Sequence, residues 1–225
     1  MRNVFHDELS GLVDTLVEMT HLAESAMTRA TTALLDGDRE LAETVIAGDE
    51  RIDSLERDLE ERSLQLLARQ APVATDLRVV VTALRMSSSL ERMGDLARHV
   101  AKLVRLRHPD TVVPVELRST FLQMGQVAER IVAKAGNVIA HRDVALAAEI
   151  EVDDDEMDRL HRDVFEHLLS REWEHTTEVA VDLTLCSRYY ERFADHAVSV
   201  AKSVVFLVTG SHAEVESSDG LPLVG

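Results

Sequence analysis

The chain has 225 residues, room for one large domain or two small ones around a sizeable core. Hydrophobic residues make up 45% and charged residues 29%, while aromatics reach only 4%, with 9 Gly and 4 Pro. That mix favours helix over a large sheet. A net charge of −17 argues against nucleic acid as the main partner and against an anionic membrane surface, and it suits metal cations or basic patches on another protein.

A single cysteine, Cys186, excludes an intramolecular disulfide and fits a reducing compartment. The opening residues "MRNVFHDELSGLVD" lack an apolar signal core, and no run of 18 apolar residues occurs. The expectation is a cytoplasmic protein without membrane insertion, recruited to a membrane only through partners.

Helix breakers are sparse and regularly placed along the chain. "LLDGDRE" at 34–40 marks a first turn, and "RQAPVATD" at 69–76 a second, where Pro72 stops the preceding helix. "RHPDTVVPVE" at 107–116 is the longest break and carries two prolines; "AHRD" and "EWEH" mark two further turns. Between the breaks, apolar residues recur at spacings of three and four, the pattern of amphipathic helices. The tail at 211–225, "SHAEVESSDGLPLVG", is acidic and aperiodic and is expected to be disordered.

The chain repeats itself. At an offset of 105, Met19, Ala23, Glu24, Ala30, Asp38 and Leu41-Ala42 meet Met124, Ala128, Glu129, Ala135, Asp143 and Leu146-Ala147. Asp53, Leu55, Arg57 and Asp58 meet Asp158, Leu160, Arg162 and Asp163. In the last helix of each unit the offset falls to 100, aligning "LERMGDLARHVAKLV" at 90–104 with "YERFADHAVSVAKSV" at 190–204. The shortfall predicts that the connection around "APVATD" is about five residues longer than that around "EWEH". Each unit reads as three helices, which can enclose an apolar stripe as an antiparallel bundle. The predicted fold is all-α, two tandem antiparallel three-helix bundles. Residues 1–109 form the first and 110–210 the second.

On a helical wheel Leu90, Met93, Ala97, Val100 and Val104 share one stripe, and Glu91 and Asp95 lie on the other side. Tyr190, Phe193, Cys186, Ala197 and Val200 likewise oppose Glu191 and Asp195. The acids are therefore expected on a solvated face. The neighbouring helix adds Asp49 and Asp53 in the first unit, Asp154 and Asp158 in the second. Across an antiparallel hairpin, facing residues share a midpoint. The pairs Asp49/Asp95 and Asp53/Glu91 are both centred on Pro72; Asp154/Asp195 and Asp158/Glu191 are both centred between Trp173 and Glu174. Each unit thus gathers four carboxylates at one level. Like charges so placed repel by about a kcal/mol per pair or more, so they need bridging arginines, raised pKa values or bound cations. Arg51, Arg92 and Arg192 are the candidate bridges. All-oxygen ligation suits magnesium, calcium, manganese or iron better than a structural zinc site.

The phrases "RQAPVATDLR", "SLERMGDLARHVAK" and "YERFADHAVSVAK" resemble the PhoU family, accessory regulators of phosphate-specific transport, over nearly the whole chain. The resemblance implies two three-helix bundles and metal at paired acidic motifs. Here these are Asp49/Asp53 with Glu91/Asp95 and Asp154/Asp158 with Glu191/Asp195; iron, Mg, Mn, Ca or Zn would be the ions. It further implies a non-catalytic regulator that represses the phosphate-starvation response and restrains uptake. Its partners would be the phosphate ABC transporter ATPase and a sensor histidine kinase, and the chain would form a homodimer. Where relatives often end the phrase "NIAE", this chain has His99 with Lys102 and Ser199 with Lys202, cations that could replace part of a metal's charge.

Two other classes stay open. A metal-free adaptor would dock its acids on a basic partner; a carboxylate-bridged dimetal oxidase would need Glu-x-x-His pairs in the bundle core. The nearest approach to that motif is Asp158 three before His161, with His196 beside Asp195. Cys186 reads as packing, His196 as packing or surface, and "KLVRLRH" as cations at a helix C-terminus or a docking patch. No phosphate loop, nucleophilic triad or cofactor fingerprint occurs.

Overall fold

The structure is a computed structural model that describes residues 2–211; the tail expected to be disordered lies, apart from Ser211, outside the described residues. Seven α-helices follow one another: α1 (Arg2–Asp36), α2 (Arg39–Gly48), α3 (Glu50–Gln70), α4 (Ala74–Arg107), α5 (Arg118–His141), α6 (Val144–Leu168) and α7 (Thr177–Thr209). One turn of 3₁₀ helix (Val115–Leu117) leads into α5, and among the described residues there is no strand.

The repeat conserves the signals that start helices as well as the apolar stripe. Gly37, in the left-handed region at φ 66°, ends α1. The next residue, Asp38, caps α2 by accepting a hydrogen bond from the Leu41 N–H at 2.9 Å. Its counterpart Asp143 caps α6, accepting from the Ala145 and Leu146 N–H groups at 3.0 Å each. Met19, Met124, Ala23, Ala128, Ala30 and Ala135, matched by the repeat, are all fully buried.

Two expectations need correction. The second helix of the first unit is interrupted between Gly48 and Glu50, giving α2 and α3, whereas α6 runs unbroken. Glycine weakens a helix interior, and Asp49 keeps right-handed helical angles (φ −61°, ψ −34°), so the chain continues in nearly the same direction. The connection between the second and third helices is also shorter in the first unit: residues 71–73 against 169–176. The five extra residues lengthen α3 and α4 instead, because Leu59, Ser63 and Leu66 keep α3 buried almost to its end. On α6 the last buried residue is Val164.

Helices α1–α4 form one lobe and α5–α7 the other, and α1 and α4 pack against α5 and α7. The buried apolar residues form one cluster running through both lobes. Helices α1 and α5 approach closely: a Cβ at Gly125 would stand 2.5 Å from Thr31 Cγ2, and one at Gly136 would stand 2.8 Å from Thr20 Oγ1. The two contacts run in opposite chain order, so these helices are antiparallel. Tyr190 on α7 is fully buried against Phe121, ring centroids 6.1 Å apart, and shares a hydrogen bond of 2.7 Å with the Thr31 hydroxyl on α1. No described helix is long and apolar enough to cross a membrane.

Candidate functional site

In the first lobe Asp49 starts α3, Asp53 follows one turn on, and Glu91 and Asp95 face them from α4. The four are electrostatic neighbours: Asp53 and Asp95 both act on Asp49, and Asp95 and Asp53 both act on Glu91. Gly94 permits the approach, since a Cβ there would stand 2.8 Å from Ile52 Cδ1 and 2.9 Å from Asp49 Oδ1. Asp49 is only 4% exposed. It sits four residues after Val45 and three before Ile52, both buried, so it occupies the inward stripe of its own helix.

Burial, reinforced by Asp53 and Asp95, pushes the Asp49 carboxyl up to about 6 despite the pull of Arg98. Burial and Asp95 likewise raise Glu91 to about 6, against Arg92. The cation inside this quartet is Arg98, one turn beyond Asp95. Its Nη1 stands 2.6 Å from Asp49 Oδ2, and its Nη2 donates to Asp95 Oδ1. Both Asp49 oxygens lack a hydrogen bond, so the guanidinium charge is what offsets theirs. Arg92 adds contacts to Asp95 (3.0 Å) and Glu91 (3.6 Å) from the rim. Of the other candidate bridges, Arg51 pairs with Glu18 at 2.7 Å, and Arg192 forms no ion pair among the described residues.

The second lobe gathers Asp154 and Asp158 on α6 with Glu191 and Asp195 on α7. Burial comes first, and then the charges of Asp158, Asp195, Asp155 and Glu191 push Asp154 up to about 7. Glu191 is 9% exposed, against the expected solvated face, and burial and Asp195 raise it although Arg188 hydrogen-bonds its Oε1. Asp158 and Asp195 remain exposed.

The two quartets differ in their cations. The counterpart of Arg98 is Val198, which is buried. Asp154 has no ion pair among the described residues, and its Oδ1 and Glu191 Oε2 are buried without a hydrogen-bond partner. Lys202 pairs with Glu151 at 3.7 Å rather than with the quartet. As the side chains stand, no group of three or more His, Cys, Asp or Glu among the described residues is gathered to hold a metal ion.

Sequence reasoning missed two acids. Asp153 is buried on α6, held by Arg130 Nε at 3.0 Å and Lys134 Nζ at 2.9 Å, both from α5. Its signal was the pair of cations four apart on one face of α5. Asp182 on α7 binds Arg107 of α4, which also binds Glu178. The basic run "KLVRLRH" is therefore spent partly inside the molecule: Arg107 bridges the lobes, and Arg105 reaches Glu43 at 3.5 Å. Cys186 is fully buried, and burial raises its thiol far above the usual range, so it is packing. His161 is spent on Ser187 Oγ at 3.0 Å. His196 is half-buried, with burial and then Arg192 lowering its pKa.

Comparison with known proteins places this geometry. The chain is 50% identical over 211 residues to the phosphate-specific transport system accessory protein PhoU homolog 2 of Mycobacterium tuberculosis, covering 94% of this chain and 99% of the relative. It is 49% identical over 220 residues to the PhoU homolog 1 of Mycobacterium leprae, covering 98% and 99%. The fold is similar to the crystal structure of PhoU from Pseudomonas aeruginosa (TM-score 0.81, 28% identity, covering 92% of this chain and 100% of that one). It is also similar to that of the phosphate transport system regulatory protein PhoU from Streptococcus pneumoniae (TM-score 0.83, 25% identity, covering 94% and 100%). The PhoU domain matches residues 16–104 and 121–204, one copy in each lobe, and the chain belongs to the PhoU domain family.

Proposed function

We propose that this protein is a non-catalytic accessory regulator of a phosphate transport system, restraining uptake and repressing the phosphate-starvation response when phosphate is ample. The observation that carries this reading is the end-to-end likeness to accessory proteins of that name, at about half identity over 94% of the chain. Control would act through binding to the transporter ATPase and a sensor histidine kinase, each biased between states by differential affinity rather than by chemistry. A homodimer at the membrane face of those partners fits this role. The test is deletion of the gene in phosphate-rich medium. Scavenging genes switched on constitutively, and switched off again by the restored gene, are the expected result; an unchanged profile would overturn the assignment.

The acidic quartets suggest metal binding, and the two lobes suit it unequally. In the second, Asp154, Asp158, Glu191 and Asp195 would hold the ion. Buried carboxylate oxygens without hydrogen bonds occur in both quartets, and the lack of a cation on Asp154 is what favours the second. Bound there, a multivalent cation such as Mg²⁺, Mn²⁺, Ca²⁺ or iron would supply charge compensation and rigidity. In the first, Asp49, Asp53, Glu91 and Asp95 already enclose the Arg98 guanidinium, which favours the metal-free adaptor reading for that lobe. Elemental analysis after dialysis against each ion would give about one equivalent per chain, lost in Asp154→Asn and kept in Asp53→Asn. Equal loss in both variants would remove the distinction.

A further inference from the structure

Helices α4 and α7 leave a groove of about 540 Å³ between the lobes. In a chain of net charge −17 its lining is basic: Arg92, Arg188, Arg192, His99 and His196, with Asp95 as the one acid. We propose that this groove binds a compact phosphoryl oxyanion, either free orthophosphate or the terminal phosphates of a small molecule. The inference rests on the groove alone and holds whether or not the regulatory reading does.

The bland alternative is that these cations are only counter-ions of the quartets. For Arg92 and Arg188 that is part of the truth, since Arg92 lies 3.0 Å from Asp95 and Arg188 hydrogen-bonds Glu191. Arg192 is different. It is exposed and pairs with no carboxylate among the described residues, in a chain with 41 acids to 24 Lys and Arg. Arg192 and Arg92 both lie near enough to His196 to act on it, with Asp195 the one acid that opposes them there, so two guanidinium charges converge on this groove and Arg192 makes no ion pair among the described residues. Like charges held at one groove cost free energy that a bound anion would recover.

The placement follows from the duplication. Arg92 and Arg192 occupy equivalent positions in the two repeats, as do Leu96 and His196, and all four line this groove. The groove therefore sits where the repeats face each other, and each contributes one guanidinium. Guanidinium forks match the spacing of phosphoryl oxygens and donate in pairs. His99 is fixed by its Nδ1 contact to the Asp95 carbonyl at 2.6 Å and by a tilted ring contact with Tyr189, centroids 5.3 Å apart. The volume is that of a small-molecule site.

The link to the quartets gives a consequence. An anion that draws Arg188 toward itself takes it from Glu191, so anion binding and cation binding at the second quartet reinforce each other, and by linkage equally in both directions.

The test is calorimetric titration of the full chain at constant ionic strength with orthophosphate, pyrophosphate, ADP and, as control, chloride. Saturable binding of at least one phosphoryl probe is expected, weakened about tenfold or more in Arg192→Ala and less in Arg192→Lys. It should be unchanged in Arg159→Ala, which removes an exposed arginine of α6. Binding of orthophosphate identifies the free anion; binding of pyrophosphate or ADP alone identifies a phosphorylated small molecule. Heats no larger than chloride's for every probe, or equal affinity in Arg192→Ala and the parent with matching melting curves, would overturn the proposal.

Discussion

Arg98 Nη1 stands 2.6 Å from Asp49 Oδ2, and the second repeat has no equivalent contact because Val198 takes the place of the arginine. One side chain thus separates a quartet whose most buried aspartate, Asp49, has a cation against it from one whose Asp154 has none, Arg188 there being spent on Glu191. Removing one partner of a buried pair strands the other, at a cost of about 3 kcal/mol. Arg98→Met is expected to lower urea stability by that order in chelated protein. Asp49→Asn in the same background should restore most of it. A single substitution as mild as a surface ion pair, well under about 1 kcal/mol, would show that Arg98 is not the compensating charge.

Gly94→Ala sets two effects against each other. Alanine favours the helix by about 1 kcal/mol, but its Cβ would stand 2.8 Å from Ile52 Cδ1 and 2.9 Å from Asp49 Oδ1. Overpacking of that kind costs about 1–3 kcal/mol. The variant should therefore unfold at lower urea than the parent; a stabilised variant would mean that α3 can retreat from α4 freely.

The acidic quartets make a pH prediction. Asp49 and Glu91 are pushed up to about 6 and Asp154 to about 7, from ordinary values of 3.8, 4.5 and 3.8. A raised carboxyl binds more protons folded than unfolded, so its stabilising contribution is complete below the unfolded pKa. It is lost as pH climbs through the folded one. Metal-free protein should therefore lose stability between roughly pH 4 and pH 7.5. Asp154→Asn should remove about 1–2 kcal/mol of that slope, allowing for water around the carboxyl. Melting curves across this range, with chelator present, read it directly; a flat or rising profile contradicts the burial argument.

Tyr190 ties the lobes through Thr31 at 2.7 Å, and Thr31 keeps a second hydrogen bond to the Met27 carbonyl at 2.9 Å. Tyr190→Phe leaves the ring packed and Thr31 still bonded, so the loss should be modest, about 0.5–1.5 kcal/mol. The urea midpoint should fall with its slope unchanged; a changed slope would mean that the lobes no longer unfold together.

Much of this molecule was legible in the chain. Most helix boundaries followed from the glycine- and proline-bearing breaks, because those residues act on the backbone within one turn; the caps at Asp38 and Asp143 emerged only with the structure. The duplication followed from Met19/Met124 and Ala23/Ala128, which both proved fully buried. The meeting of Asp49 with Asp95 and of Asp154 with Asp195 followed from hairpin midpoints. The five-residue offset misled, because extra residues can lengthen helices as readily as a loop, and Leu59 to Leu66 chose the helix.

By itself the sequence determined the rods, their order, their duplication and the level at which the acids face one another, all consequences of helical period and chain connectivity. Only the tertiary structure decided that Asp49 and Glu191 leave water, that Arg98 reaches Asp49 while Arg188 is spent on Glu191 and leaves Asp154 unpaired, and that three arginines share a groove between α4 and α7. Those outcomes depend on how side chains from distant segments compete for the same space and charge, and that competition is settled by packing.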